Sequence, residues 1–261
     1  MNKKQNVNFY NVNKHVDLKV KQDILRFHNK GNILIDNQFV PSLCFPPLPI
    51  TVLQDLEGHD TEISPFHHES IPCTSTQNIS IRRNRSASEF AATKIDFSIL
   101  QTLLNESFAA DDALRRPYPS GGALYTIEVL CCIFNEKLHE SPVSGIYHYR
   151  SNLKKLQLLR ETPSEEIIQR VLHAEPEKSR EANFIFIYMI NLPKAIVKYR
   201  YRGYRLAWME VGAMFMQADL VAKELGLKNR LSSSFNDFEI TKFAQLDSHS
   251  FIPAVVQLFG T

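Results

Sequence analysis

The sequence predicts an α+β protein whose strands and helices follow one another without a regular repeat. Helical and strand patterns mix along the 261 residues, but not in the strict strand–helix–strand order of a doubly wound fold. No Gly-x-Gly-x-x-Gly segment follows any predicted strand, so the phosphate-binding turn of that fold is missing. A hydrophobic content of 44% is sufficient for a substantial packed core.

By composition and residue pattern the chain divides into an N-terminal arm, residues 1–80, and a main domain, residues 81–261. The arm is rich in asparagine at first and is then interrupted by four prolines between residues 41 and 49. Apolar residues recur near helical spacing from Val20 to Phe27 and stop before Gly31. This spacing predicts one short helix that docks on the main domain.

The first half of the main domain predicts a helix, a central strand and a hairpin. An apolar stripe over residues 96–109 indicates an amphipathic helix, with Asp96 as its N-cap. The run from Thr126 to Phe134 is rich in strand-forming residues and predicts a central strand. Residues 145–159 alternate around a Ser-Asn turn, which indicates a hairpin at the sheet edge.

The second half predicts two helices and two strands. Residues 162–165, Thr-Pro-Ser-Glu, match a capping box with proline at the first helical position, opening a helix through about Leu172. Residues 183–190 and 253–259 are apolar runs that predict buried strands. The longest helix is expected to begin near Tyr204 and to end before Gly226, a natural C-cap residue.

Composition argues against several functional classes. Thirty basic against 28 acidic residues leave a formal charge of +2, so no general positive field suggests nucleic acid or an anionic membrane as a partner. The four cysteines include no Cys-x-x-Cys pair, and the arm histidines, His59, His67 and His68, lack matching ligand spacing, so we expect no metal. No apolar stretch approaches the roughly 20 residues of a membrane span, and the start lacks a secretion signal. A cytoplasmic protein is expected.

Three arginines within four residues form the first candidate binding segment. Arg82, Arg83 and Arg85 stand just ahead of the first predicted core helix. The planar guanidinium suits bidentate recognition of a phosphate, which favours a phosphate site. A solvated charge run is the alternative interpretation.

The second candidate is the loop Ser120-Gly121-Gly122-Ala123, which follows two arginines and precedes the predicted central strand. Paired glycines permit positive φ and let the backbone approach a planar ring or an anion without obstruction by a Cβ atom. A simple turn would explain the glycines equally well. The neighbouring arginines and strand favour a binding loop.

The third candidate is the segment from Lys198 to Arg205, in which four cations alternate with three tyrosines. Such interleaving is typical of single-stranded nucleic-acid binding, which the near-neutral charge of the chain disfavours. In the other interpretation Lys198 and Tyr199 transfer protons, because neighbouring cations favour the deprotonated form of both side chains and burial favours that of the lysine.

Taken in order, four segments resemble the SagB-type dehydrogenases of the nitroreductase superfamily: RRPYPSGGALYTIEV, GIYHY, KYRYRGYRLAWMEVG and DLVAKELGLKNR. The resemblance implies a nitroreductase-like fold, a mixed or antiparallel sheet flanked by helices, and an intertwined homodimer with FMN at the interface. It implies an enzyme that oxidises thiazoline and oxazoline rings of a bacteriocin-type precursor peptide to thiazoles and oxazoles. Partner cyclodehydratase subunits would form those rings first.

The same resemblance assigns roles to individual residues. Lys198 and Tyr199 match the catalytic Lys-Tyr pair, and residues 120–123 match the loop that lines the flavin. The arginines match a phosphate-binding RRSxR start, in which Asn84 here replaces the serine. Where relatives carry Gly-Gly-Phe this chain has Ser233, Ser234 and Phe235, and where they carry Gln-Asn it has Met216-Gln217. We also assign Arg202, Arg205 and Gln217 to the cofactor site.

The implied reaction removes two hydrogens from the ring, one at the α-carbon and one at the β-carbon. We expect Lys198 or Tyr199 to take the α-proton and the flavin to take a hydride. One rival is an NAD(P)H-dependent nitro- or quinone-reducing flavoenzyme, which would share the yellow cofactor. The other is a flavin-free module that binds RNA or an acidic peptide with strong salt dependence.

Overall fold

The computed structural model describes residues 12–31, 49–52, 71–73, 81–172 and 177–261. The chain divides into two units, one of residues 1–34 with 83–261 and one of residues 35–82. Residues 50–52 of the second unit are helical. Every element named below belongs to the first unit, and the expected domain boundary near residue 80 remains a prediction.

The centre of the first unit is a six-stranded antiparallel sheet. In spatial order its strands are β5 (Lys155–Glu161), β4 (Gly145–Arg150), β2 (Ile127–Ile133), β6 (Phe184–Asn191), β8 (Phe251–Gly260) and β7 (Lys228–Ser232). A separate parallel pair joins β1 (Ile95–Asp96) to β3 (Leu138–His139). The predicted strands and the edge hairpin, β4 with β5, are confirmed.

Helices cover both faces of this sheet. They are α1 (Leu18–His28), α2 (Phe97–Phe108), α3 (Ser164–Val171), α4 (Leu192–Glu224) and α5 (Asp237–Phe243). Side chains of α1, α2 and α4 share one hydrophobic core with one face, and those of α3 and α5 share a second core with the other. Cys131 and Cys132 of β2 are buried in different cores. Strand β6 is buried along its whole length because both of its faces are covered, and the α+β prediction is confirmed.

The expected cap of α3 was wrong, and the long helix has an additional segment ahead of its expected start. The capping box does not form: Pro163 has extended backbone angles at the cap position of α3, and the Thr162 hydroxyl has no partner among the described residues. Helix α4 runs from Leu192, but a kink at Arg200 divides it, so its longer part begins directly after Arg200, close to the expected start near Tyr204. The Asn191 side chain accepts a hydrogen bond from the Lys194 amide, and Pro193 occupies the first turn, where its missing N–H is harmless.

Helix α4 is interrupted by an abrupt turn at Arg200. Its φ of 49° and ψ of −131° lie close to the first central position of a type II′ turn, a conformation dominated by glycine. After the turn the helix comes back so closely that a Cβ atom at Gly203 would overlap the Ala195 carbonyl oxygen. Glycine at 203 is therefore required by this close approach.

The predicted N-terminal helix is present as α1 and packs on α4. Asp17 caps it by accepting from the Lys19 and Val20 amides, at 2.9 and 3.1 Å. Val20 and Ile24 are buried in the core that α4 lines. The expected apolar position at Phe27 is 70% exposed, so that ring is not part of the packed face.

The turn at Arg200 predicts that glycine at this position gives a more stable protein than alanine, which is the reverse of their order inside an ordinary helix. Arg200→Gly should leave the protein about 1 kcal/mol more stable than Arg200→Ala, because glycine adopts a positive φ without steric strain. Ordinary helix propensity predicts the reverse by a similar amount. Both variants lose the same side-chain contacts, so the comparison isolates the backbone. Urea unfolding of the two proteins measures the difference, and a more stable alanine variant would contradict the turn.

Candidate active site

The glycine loop between α2 and β2 has an unusual backbone. Residues Gly121–Ala123 form a short 3₁₀ turn in which Gly122 has a φ of 66°. Ala123 and Tyr125 also have positive φ values, 54° and 49°. Non-glycine residues in this region are uncommon and persist where surrounding contacts hold them. Three residues with positive φ within four positions, two of them not glycine, mark the loop as a functional candidate.

A buried carboxylate holds this loop in place. The Ser120 hydroxyl donates to Glu210 Oε2 at 2.7 Å and accepts from the Tyr125 amide at 2.8 Å. Thr126, at the start of the strand, donates to the same carboxylate oxygen at 3.1 Å. Glu210 lies in α4 and is only 3% exposed. The hydroxyl of Ser120, expected to contact a cofactor, is thus engaged in fixing the loop.

The structure brings the glycine loop to one member of the predicted Lys-Tyr pair. A Cβ atom at Gly122 would lie 2.5 Å from the Tyr199 hydroxyl oxygen, and one at Gly121 would lie 2.9 Å from a methyl group of Leu206. The loop therefore packs against α4 on both sides of Gly203. Gly122 is required because its φ is positive, whereas a side chain at Gly121 would have to displace the end of the Leu206 side chain.

The cationic part of the segment faces solvent. Lys198 is exposed, and its ammonium lies 5.0 Å from the centre of the Tyr199 ring, within cation–π distance. Arg202 and Arg205 are exposed on the part of α4 that follows the turn. Neighbouring residues in this segment therefore differ in environment: Tyr199 lies against the glycine loop, whereas the cations are exposed to solvent.

Arg116 and two tyrosines form the other wall of the loop. The Arg116 guanidinium donates to the Tyr118 hydroxyl at 2.9 Å and lies 4.6 Å from the centre of the Tyr125 ring. Burial raises the pKa of Tyr118; the Arg116 charge opposes this rise and the Glu210 charge adds to it. Arg116 Nε and Glu210 Oε1 are buried without a partner among the described residues. Near the loop, one hydrogen-bond donor and one acceptor thus form no hydrogen bond with the described residues.

The arginine segment meets α4 at a different point. Arg83 Nε lies 2.5 Å from Oδ2 of the buried Asp219, and Arg83 Nη2 donates to the Ser86 hydroxyl at 3.1 Å. From Asp219 the contacts continue inward through Asn229, Gln257 and Tyr188, which are linked by hydrogen bonds of 2.6 to 3.1 Å. Arg85 is exposed, as is Arg82 in the second unit.

Three predicted residues lie elsewhere, and their place in the site remains a prediction. Gln217 donates to the Glu106 carbonyl at 3.5 Å between α4 and α2. Ser233 is exposed, and the Ser234 amide donates to the Ser232 hydroxyl after β7. None of the predicted residues lines a cavity of about 250 Å³ that lies between α1 and α5, beside His28 and His249.

The structural roles of two residues, Glu210 and Asp219, were not predicted from the sequence. Glu210 lies 90 positions from Ser120 and Asp219 lies 136 positions from Arg83, so no local spacing connects the partners. The available signal was an acidic residue at each position in an otherwise apolar stretch of the long helix, since buried carboxylates require partners. His59, His67, His68 and Cys44 lie outside the described residues, which contain no metal-binding cluster of His, Cys, Asp or Glu.

No helix among the described residues combines the length and the apolar character that crossing a membrane requires.

The bonds of Ser120 predict a measurable stability cost. Ser120→Ala should destabilise the protein by about 1–3 kcal/mol, because the Tyr125 amide loses its acceptor and Glu210 loses a donor. Ser233→Ala is the matched control, since this serine is exposed, and should change stability by less than about 0.5 kcal/mol. Chemical denaturation of both variants makes the comparison. Equal effects would contradict the fixing role of Ser120.

Comparison with known proteins places the chain in a family. The family model described as "Nitroreductase family" matches residues 81–260. The chain is similar to the microcin B17-processing protein McbC of Escherichia coli, at 31% identity over 98% of this chain and 96% of that protein. It is also similar to the trifolitoxin-processing protein TfxB of Rhizobium leguminosarum bv. trifolii, at 24% identity over 84% of this chain and 54% of that protein.

A solved structure agrees with these similarities. The fold matches a chain in the E. coli microcin synthetase McbBCD complex with truncated pro-MccB17 bound, with a TM-score of 0.90 and 31% identity over 99% of both chains. The family match covers more than half of the sequence and includes the glycine loop, the kinked helix and all six strands of the central sheet. The chain therefore belongs to the nitroreductase family of oxidoreductases.

Proposed function

We propose that this protein is an FMN-dependent dehydrogenase that oxidises thiazoline and oxazoline rings of a ribosomally made precursor peptide to thiazoles and oxazoles. The observation that carries the proposal is the contact between Tyr199 and the glycine loop at Gly122. Support also comes from full-length similarity to a protein that processes microcin B17, and from the fold of a synthetase subunit with a pro-peptide bound.

The residues around the loop fit a flavin. An isoalloxazine ring presents both hydrogen-bond donors and acceptors, and Arg116 Nε and Glu210 Oε1 are an unused donor and acceptor beside the loop. Tyr199 and Leu206 fill the space beside Gly121 and Gly122, so a flat ring would lie against the opposite side of the loop backbone. Arg82, Arg83 and Arg85 would hold the phosphate, with Arg202, Arg205, Gln217, Ser233 and Ser234 as further candidate contacts.

The geometry favours a flavin shared between two copies of the chain. Arg83 is anchored at Asp219, whereas the glycine loop contacts Leu206, thirteen residues earlier in α4. At 1.5 Å per residue these points are about 20 Å apart along the helix. The family resemblance implies a flavin at the interface of a homodimer, and in such a dimer the arginines of a partner would hold the phosphate of a mononucleotide that lies against one loop. We propose a homodimer on this basis.

The chemistry divides between the cofactor and the chain. FMN bound at the loop would supply the two-electron acceptor for the hydrogen of the β-carbon. Lys198 or Tyr199, in its deprotonated form, takes the other hydrogen as a proton from the α-carbon, and that bonding pair becomes the new ring double bond. The Tyr199 hydroxyl is held at the glycine loop, and Lys198 lies beside its ring, so both groups are candidates for this base.

The substrate and its source follow from the reaction class. A dehydrogenase of azoline rings needs a partner that forms those rings from Cys, Ser or Thr side chains of the precursor peptide. We therefore propose that the protein acts with cyclodehydratase subunits of a heterocycle synthetase, in the cytoplasm.

The proposal predicts both a chromophore and a mass change. The purified protein should release FMN on heating, and it should lower the mass of an azoline-containing peptide by two hydrogens per ring. Lys198→Ala should slow this oxidation about 10²- to 10⁴-fold while FMN content stays at the wild-type level, because a positioned base contributes that factor. Mass spectrometry and absorption spectra are the measurements. Lys228→Ala, at an exposed lysine of β7, is the control.

Three results would count against the proposal. A colourless protein that takes up no FMN would contradict the cofactor. Rapid bleaching by NADPH under anaerobic conditions, with no oxidation of azolines, would indicate a nitro- or quinone-reducing flavoenzyme instead. A fully active Lys198→Ala variant would move the base to Tyr199, and an equally active Tyr199→Phe variant would contradict the pair.

The shared site predicts complementation between two defective variants. Lys198→Ala lacks the proposed base, and the double variant Arg82→Ala with Arg85→Ala should bind the phosphate weakly. After the two are unfolded together and refolded, half of the dimers carry one chain of each kind, with one intact site. Oxidation at low FMN should then recover to about one quarter of the wild-type rate. No recovery, although mixed dimers are present, would contradict a site built from two chains.

A further inference from the structure

We infer that helix α1 is a positioning element for the proposed base pair: it holds the turn at Arg200 that keeps Tyr199 against the glycine loop, with Lys198 beside the Tyr199 ring. The turn immediately follows Tyr199, so its angles fix the direction in which both side chains leave the backbone. The catalytic consequence rests on the proposed function. The mechanical part, α1 holding the turn, is tested separately below.

Two acidic residues of α1 and its cap reach the turn. The Arg200 guanidinium lies 2.8 Å from Asp17 Oδ2, and the Tyr201 hydroxyl donates to Asp23 Oδ2 at 2.6 Å. Asp17 uses its other oxygen to cap α1, so one carboxylate joins the start of that helix to the turn. Consecutive residues of the turn are therefore each tied to α1.

A third contact lies one helical turn further along α4. His28 Nδ1 and the Tyr204 hydroxyl are 3.1 Å apart, and the His28 ring lies 6.3 Å from the rings of Tyr204 and Trp208. Burial lowers the pKa of His28, which favours the neutral ring in this contact. Together with Val20 and Ile24 in the core, this fixes the far end of α1.

The strained turn needs such support. A non-glycine residue in this region costs about 1–3 kcal/mol and persists only where neighbouring contacts determine it. The close approach of Gly203 to Ala195 constrains the backbone of the turn within α4. The contacts with α1 constrain the same turn from the neighbouring helix. Without α1 the lower-energy course is an ordinary helix through residue 200, which would move Tyr199, and Lys198 beside its ring, away from the glycine loop.

The contacts between α1 and the turn should matter more for positioning the base pair than for global stability. Arg200 is 62% exposed and Asp17 is 37% exposed, and pairs with this exposure contribute little to unfolding free energy. A misplacement of about 1 Å at a reacting group can cost about 100-fold in rate. Loss of these contacts should therefore affect turnover far more than thermal stability.

The first measurement examines the turn without using activity. Asp17→Asn removes the charge that pairs with Arg200 but keeps the helix cap, because asparagine caps as well as aspartate. Asp23→Ala removes the oxygen that accepts from the Tyr201 hydroxyl. Both should increase hydrogen–deuterium exchange over residues 196–203, whereas Gln22→Ala, exposed on the same helix, should not. Trp208 is the single tryptophan, so its emission reports whether the end of α1 stays docked.

The second measurement follows turnover of the FMN-loaded protein. Asp17→Asn should lower kcat by about tenfold to a hundredfold, with the KM for peptide and the melting temperature close to those of the wild type. A purely structural role would instead lower the melting temperature or the FMN content. The rescue is Arg200→Gly, in which the turn is unstrained, so adding Asp17→Asn to it should produce no further loss.

The outcomes are distinguishable. Unchanged exchange at 196–203 in both variants would overturn the inference whether or not the protein oxidises azolines. Increased exchange with unchanged kcat in an active enzyme would overturn the positioning role. If the wild type oxidises no azoline, the proposed function fails, and the exchange measurement alone decides whether α1 holds the turn.

Discussion

The abrupt turn of α4 at Arg200 is the constraint on which the rest of the site depends. The helix starts at the end of β6 with Leu192 and must also run across one face of the sheet to Gly226. The two parts of the helix, before and after Arg200, join at the turn. There they approach so closely that position 203 admits only glycine. The same geometry brings Tyr199 and Leu206 onto the glycine loop from either side of the turn.

After the turn, α4 is a common support for three separate groups. Its Leu206 contacts the glycine loop, Glu210 bonds the hydroxyl that locks that loop, and Asp219 holds the arginine segment. A rigid helix fixes the spacing of these groups better than loops would. The two buried carboxylates contribute more to positioning than to stability, since the desolvation of a buried charge offsets much of its pairing energy. A change in the helix would therefore be felt at all three points together.

The sequence predicted the parts of the fold that local patterns determine. Strands β2 and β6 were evident as apolar runs, and α1 and α2 as amphipathic spacings, because each is stabilised by one buried face. The segment of α4 before Arg200 was not predicted, because Asn191 is both the last residue of β6 and the cap of the helix, with no intervening loop. The Ser120–Glu210 contact could not be predicted, since only the tertiary fold joins residues 90 positions apart. Resemblance supplied the chemistry of the Lys-Tyr pair, which composition alone left open.

The arginine segment holds one guanidinium in a fixed orientation. The Ser86 hydroxyl accepts from Arg83 Nη2, and Asp219 takes Nε of the same guanidinium, so this arginine is fixed on two sides. A fixed guanidinium loses less conformational entropy when an anion binds than a mobile one does. These two contacts therefore preorganise Arg83 for the phosphate site that we propose.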